Sequence, residues 1–131
     1  MRKKIATKKL NRSGRSRRAM YRSLVRSLAE HGKIKTTKAK AKATQPKIDR
    51  ILRLVAQGDL SARRQTLSML GNDKETVQIF FDKYKELATS RSSGFTRLTK
   101  LLPRKGDSAE MAILELIETS KKNENDSSKN K

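Results

Sequence analysis

Eighteen of the 33 Lys and Arg in this 131-residue chain fall within its first 50 residues, where Glu30 and Asp49 are the only acids. Eighteen cations less two acids put +16 of the formal +20 into that stretch, while the remaining 81 residues hold 15 cations and 11 acids. A segment so dense in like charge cannot collapse on itself. It must either stay extended or lay its cations along one side of elements whose other side is buried. The total also far exceeds the charge of roughly 2 to 8 that solubility asks of a small domain. Its concentration at one end points to a surface that meets a polyanion rather than to a uniformly solubilised one.

With 34% apolar residues, the rest of the chain can fill one modest core. The expected organisation is a basic extension over residues 1–15, one α+β domain over 16–118 and a polar tail over 119–131. The absence of Cys removes disulfides, Cys-based zinc sites and thiol chemistry, which suits a reducing compartment. No apolar run approaches the roughly 18 to 20 residues of a membrane span, and the N-terminus lacks the apolar middle of a secretory signal, so no membrane partner is expected. Met1 to Arg18 shares the composition of an organelle transit peptide, but its basic spacing runs directly into an amphipathic helix, as a nucleic-acid-binding arm does.

From Met1 to about Gly14 only Ile5, Ala6 and Leu10 are apolar beyond the initiating residue, too few to fold alone, so this arm is expected to be disordered by itself. Ser16 as cap, Met20, Leu24 and Leu28 at one-turn intervals, and Gly32 as stop predict a first helix, with Arg22 and Arg26 on its other flank. Lys33 to Thr37 is short and β-branched and predicts a strand. Lys38 to Ala43 leads into Ile48, Ile51, Leu52 and Val55, a helical period ending at Gly58, with Lys47, Arg50 and Arg53 on the far side. Pro46 is expected to kink or restart that helix. Asp59 caps a short third helix, and Asn72 to Glu75 resembles a capping box before the stripe Val77, Phe80, Phe81, Tyr84 and Leu87, assigned to the core as a single helix. Gly94–Leu102 and Met111–Ile117 predict a hairpin turned by Pro103 to Ser108. The order is helix, strand, three helices, two strands.

RKKIATKKLNR at the start, RRAMYRSLVRSLAEHGKIKTTKAKAK from Arg17 to Lys42, and SRSSGFTRLTKLLPRKGDSAEMAILELIE from Ser90 to Glu118 resemble the bacterial large-subunit ribosomal protein family numbered seventeen. The most specific pieces are Arg18-Ala19-Met20, Ile34 to Thr37 with Lys40 to Lys42, and Gly94 to Arg97 followed by Arg104 to Asp107. Arg17 stands where the family often has His, Phe95 where it often has Tyr, and Pro46 is foreign to its second helix. The resemblance implies a small sheet backed by helices, docked on large-subunit (23S) ribosomal RNA near the nascent-chain tunnel exit. It further implies a place in the cytoplasm, within the ribosome, and neighbouring large-subunit ribosomal proteins as partners.

Such docking works by phosphate neutralisation, because each cation set against a phosphate releases condensed counterions. An unfolded arm can thread between RNA helices and order as it binds, with Gly14 permitting close backbone approach. Arg2, Arg12, Arg15, Arg17 and Arg18 lead the candidates, since planar guanidinium groups make bidentate phosphate contacts and stack on bases. Lys3, Lys4, Lys8, Lys9, Asn11, Ser13 and Arg22 join them along the same segment. The alternative for a charge run is a solvated face, but nine cations in the first eighteen residues without one acid favour RNA contact. Lys35, Lys38, Arg91, Arg97, Arg104 and Lys105 are further RNA candidates, although scattered surface cations are common. Thr36 and Thr37 either bond phosphates or, at Thr37, cap the second helix.

Catalysis has little to work with. His31 is the only His, and neither a Gly-rich phosphate loop nor a carboxylate pair with acid–base spacing stands out. No catalytic residue, cofactor, metal or small-molecule substrate is expected, which argues against a small RNA-processing enzyme. A DNA-binding architectural protein stays open, since it shares the charge and the size. It would carry a recognition helix or a minor-groove wedge, neither of which is evident.

Overall fold

A computed structural model describes residues 8–117, so Arg2, Lys3, Lys4 and the tail expected from residue 119 lie outside the described residues. The chain runs α1 (Gly14–His31), β1 (Lys33–Thr37), α2 (Lys38–Gln57), α3 (Leu60–Met69), α4 (Lys74–Lys83), α5 (Lys85–Ser90), β2 (Thr96–Lys100) and β3 (Met111–Leu116). The expected α+β architecture is the one observed.

Helix α1 starts at Gly14 rather than at Ser16, because Ser13 is the residue whose side chain caps it, accepting from the Ser16 N–H at 3.3 Å. It ends at Gly32, whose φ of 72° is cheap only without a Cβ and whose N–H bonds the Leu28 carbonyl at 2.8 Å. That reversal delivers the chain into β1. The expected hairpin of β2 and β3 forms, and β1 pairs along the other edge of β3, giving the order β1-β3-β2 with both pairings antiparallel. Ile34 and Leu98 both stand opposite Leu114, which sets the inward face. With period two, Ala112, Leu114 and Leu116 are buried, while Lys33, Lys35, Arg97 and Thr99 lie exposed on the opposite, open face.

Helix α2 lies across the inward face of the sheet and is the centre of the core, with Ile48, Ile51, Leu52 and Val55 all buried as their spacing predicts. Each such side chain contributes roughly 1.5 to 3 kcal/mol by leaving water. Pro46 does not divide the helix, contrary to the expected restart. Both Pro46 and Lys42 are exposed, so the site of the missing bond lies away from the apolar interior.

The stripe Val77, Phe80, Phe81, Tyr84 and Leu87 is buried, but it spans two helices rather than one. Tyr84, at φ −109° and ψ 10°, leaves helical geometry between them. Its buried hydroxyl donates to the Ala29 carbonyl in α1 at 3.1 Å. On either side of Tyr84, α4 packs against α1, while Leu87 and Ala88 of α5, which packs against α2, are buried. The cap of α4 is displaced by one residue from the expected box: Asp73 accepts from the Thr76 N–H and hydroxyl, and Asn72 adopts φ 66° before it. Asp59 caps α3 as expected, accepting from Ala62 N–H at 2.8 Å.

Candidate nucleic-acid interface

The lead-in to α1 is a turn built on the backbone. Leu10 and Asn11 take φ values of 53° and 50°, and the Arg12 N–H reaches back to the Lys9 carbonyl at 3.1 Å. Arg17, one turn into the helix, donates to the carbonyls of Arg12 at 3.3 Å and Lys9 at 3.5 Å, which folds this turn against α1. Arg12 donates to the Ser16 hydroxyl at 3.4 Å. Lys8, Lys9, Arg12, Arg15 and Arg18 are therefore exposed around a helix N-terminus whose first turn carries no acid. The helix dipole adds its own positive end to that cluster.

Behind it, α1, α2 and the end of α3 enclose a cleft of about 550 Å³. Arg17, Arg18 and Arg22 of α1 face Lys47 and Arg50 of α2 across it, and no acid is among the lining residues. Its floor is apolar: half-buried Tyr21 and Met69 stand over buried Val25, Ile51 and Leu70. Arg22 is fixed within the cleft, since its Nε donates to the Met69 carbonyl at 3.2 Å and its guanidinium fills the space beside Gly71, where a Cβ would approach it to 2.7 Å. The Lys47 ammonium stands 5.9 Å from the centre of the Tyr21 ring. Arg18 and Arg50 make no ion pair with any described acid.

The remaining candidates sit elsewhere and are differently dressed. Lys38 pairs with Glu110 at 2.8 Å and holds that carboxyl below its usual range. Arg97 pairs with Glu115 at 3.3 Å across the open face of the sheet, where Lys35 is also exposed. Arg104 binds Asp107 within the β2–β3 loop, and its hydrogen bonds, followed by one from the Ala109 N–H, push that carboxyl down to about 2. Lys105 is exposed in the same loop and Arg91 just past α5. Thr36 lies half-buried among the inward positions of β1, and Thr37 precedes α2 without a side-chain capping bond. Arg26, one turn beyond Arg22, lies within 3.0 Å of Glu30, 3.8 Å of Asp73 and 3.7 Å of Glu75, which raise its pKa, the Glu30 hydrogen bond most of all.

The fold thus gathers the lead-in and α1 candidates into one acid-free surface and leaves the sheet and loop candidates apart from it. Lys47, Arg50 and Tyr21 complete the cleft although the sequence reading gave them no binding role. The available signal was that Lys47 and Arg50 flank Ile48 and Ile51, so they emerge at the border of the buried stripe, where a neighbouring helix meets them. Among the described residues no group of His, Cys, Asp or Glu is arranged to hold a metal, and no helix is long and apolar enough to cross a membrane.

The sequence model of the family described as Ribosomal protein L17 matches residues 20–117. A protein of Chloroflexus aurantiacus named large ribosomal subunit protein bL17 is 45% identical over 117 residues, which are 89% of this chain and 100% of that one. Its namesake in Desulforapulum autotrophicum is 44% identical over 117 residues, 89% of this chain and 97% of the other. That of Clostridium perfringens is 43% identical over 110 residues, 84% and 96% of the two chains. The matched stretch takes in all three strands of the sheet, the helices packed on it and the α2 side of the basic cleft, and the likeness to these relatives runs nearly end to end, so the chain belongs to the ribosomal protein L17 family.

Proposed function

We propose that this chain is a structural component of the large ribosomal subunit, and that it binds large-subunit ribosomal RNA through the lead-in to α1 and the cleft between α1 and α2. The observation that carries this is the segregation of charge: the cations of that surface face one another with no acid between them, whereas Arg26, Lys38, Arg97 and Arg104 are paired. Five like charges around one cleft repel unless a polyanion separates them, and RNA phosphates supply that partner while releasing counterions. Arg18 and Arg50 provide the planar donors for bidentate phosphate contacts, and the N-terminus of α1 adds backbone N–H groups. Family resemblance supports a place near the nascent-chain tunnel exit of a cytoplasmic ribosome, with other large-subunit proteins as neighbours. The role assigned is architectural, and no residue is given a catalytic part.

The test is sedimentation of a lysate carrying the C-terminally tagged chain through sucrose at low and at moderate salt. The expected result is co-migration with the large subunit at both. Recovery only at the top of the gradient, or with duplex DNA, refutes the proposal, and the latter favours a DNA-binding architectural protein.

A further inference from the structure

The cleft has two chemistries where phosphate binding needs only one. Cations at its rim account for a backbone contact, but an apolar floor next to them is wasted on phosphate. A volume of about 550 Å³ falls within the roughly 300 to 1,000 Å³ of small-ligand sites. Tyr21 and Met69 offer half-buried apolar surface, and Arg22 presents a guanidinium whose position is set by the Met69 carbonyl and Gly71 before any ligand arrives. Unstacked bases are held in this way, against aromatic or guanidinium planes, with their flanking phosphates on nearby cations.

We propose that the cleft between α1, α2 and the end of α3 receives one nucleotide unstacked from a single-stranded or looped part of RNA. The base packs on Tyr21 and Met69 beside the Arg22 guanidinium, and Arg18, Lys47 and Arg50 take the phosphates on either side. This rests on the RNA-binding reading above and adds that the protein recognises a base, not only a backbone. The basic lead-in is excluded as the natural occupant by charge, because it would add cations to a cleft that already repels them.

The wild-type full chain, labelled at its methionine methyl groups, is titrated by NMR with uridine 3′,5′-bisphosphate, with adenosine 3′,5′-bisphosphate and with base-free ribose 3,5-bisphosphate. Both nucleotides are expected to bind about tenfold more tightly than the sugar bisphosphate, as one stacked base implies. They should shift the Met69 methyl and leave Met111, on the open face of the sheet, unmoved. Equal affinities for all three with a stationary Met69 methyl overturn the proposal. Gradient sedimentation separates this from the broader reading. A chain that enters large subunits but shows no base preference loses only the nucleotide site, and one that prefers the nucleotides yet never joins the subunit keeps the site and loses the ribosomal assignment.

Discussion

Replacing Arg18 and Arg50 together by Gln tests the proposal that the cations of the cleft serve RNA rather than the fold. Both are exposed and unpaired among the described residues, so the double variant is expected to keep its stability within about 1 kcal/mol. If each faces a phosphate, its loss lowers the slope of log affinity against log salt by roughly 0.7 to 0.9, and the pair lowers it by roughly 1.4 to 1.8. Raising salt fourfold, from roughly 50 to 200 mM, spans about 0.6 log units. The wild type should therefore lose about tenfold more affinity than the variant over that range. The variant is weaker at low salt, and the two curves approach each other as salt rises.

The matched control is Arg26→Gln with Arg104→Gln. It removes the same formal charge, but from sites where Glu30, Asp73, Glu75 and Asp107 already neutralise it. Filter binding to transcribed large-subunit ribosomal RNA across a salt series reads both slopes. A control pair that flattens the slope as much as Arg18→Gln and Arg50→Gln refutes the reasoning, because net charge alone would then set the affinity.

Phe95 is fully buried just before β2, so Phe95→Ala should cost about 3 to 5 kcal/mol in urea unfolding; a loss under 1 kcal/mol would place its ring outside the core. Gly71→Ala meets both a φ of +71° and the Arg22 guanidinium at 2.7 Å, so it is expected to cost roughly 1 to 2 kcal/mol in thermal unfolding and to weaken RNA binding by freeing Arg22. Asp107 has a folded pKa depressed from 3.8 to about 2, so its contribution to the loop is full above 3.8 and disappears as pH falls towards 2. Carboxyl NMR titration should show that low value in the wild type and its return towards 3.8 in Arg104→Gln.

Much of this fold was legible because its signals are local. The period of Ile48, Ile51, Leu52 and Val55, the strand between Gly32 and Lys38, and the hairpin around Pro103 to Gly106 each depend on neighbours in sequence. What the sequence hid depends on distant partners. The break falls at Tyr84, whose hydroxyl bonds a carbonyl 55 positions away in α1, a contact that no periodicity reports. Pro46 misled for the same reason, since the cost of its missing N–H depends on whether the Lys42 carbonyl ends in solvent, and only the packed structure decides that. The cleft was half legible: Arg17, Arg18 and Arg22 stood out in a cation-rich stretch, but Lys47 and Arg50 became partners only when α2 packed beside α1.

The acids explain why the cleft is where it is. Glu30, Asp73 and Glu75 converge on Arg26, one turn beyond Arg22 along α1, Glu115 answers Arg97 on the sheet, Glu110 answers Lys38 and Asp107 answers Arg104. Every one of these pairs is at least partly exposed, so solvent screening leaves each with little effect on stability. Their collective effect is on the field instead. They offset single cations on the sheet, in the β2–β3 loop and at Arg26, whereas the cations that line the α1–α2 cleft have no acid among them. A polyanion approaching this chain is therefore steered to one face by where the acids are as much as by where the cations are. It follows that Glu30→Gln with Glu75→Gln, which touches no residue of the cleft, should raise affinity for RNA while lowering the preference for that face. Footprinting by lysine acetylation, with and without large-subunit RNA, reads this directly: protection of Lys47 relative to Lys74 should fall in the variant, and an unchanged ratio would sink the steering argument.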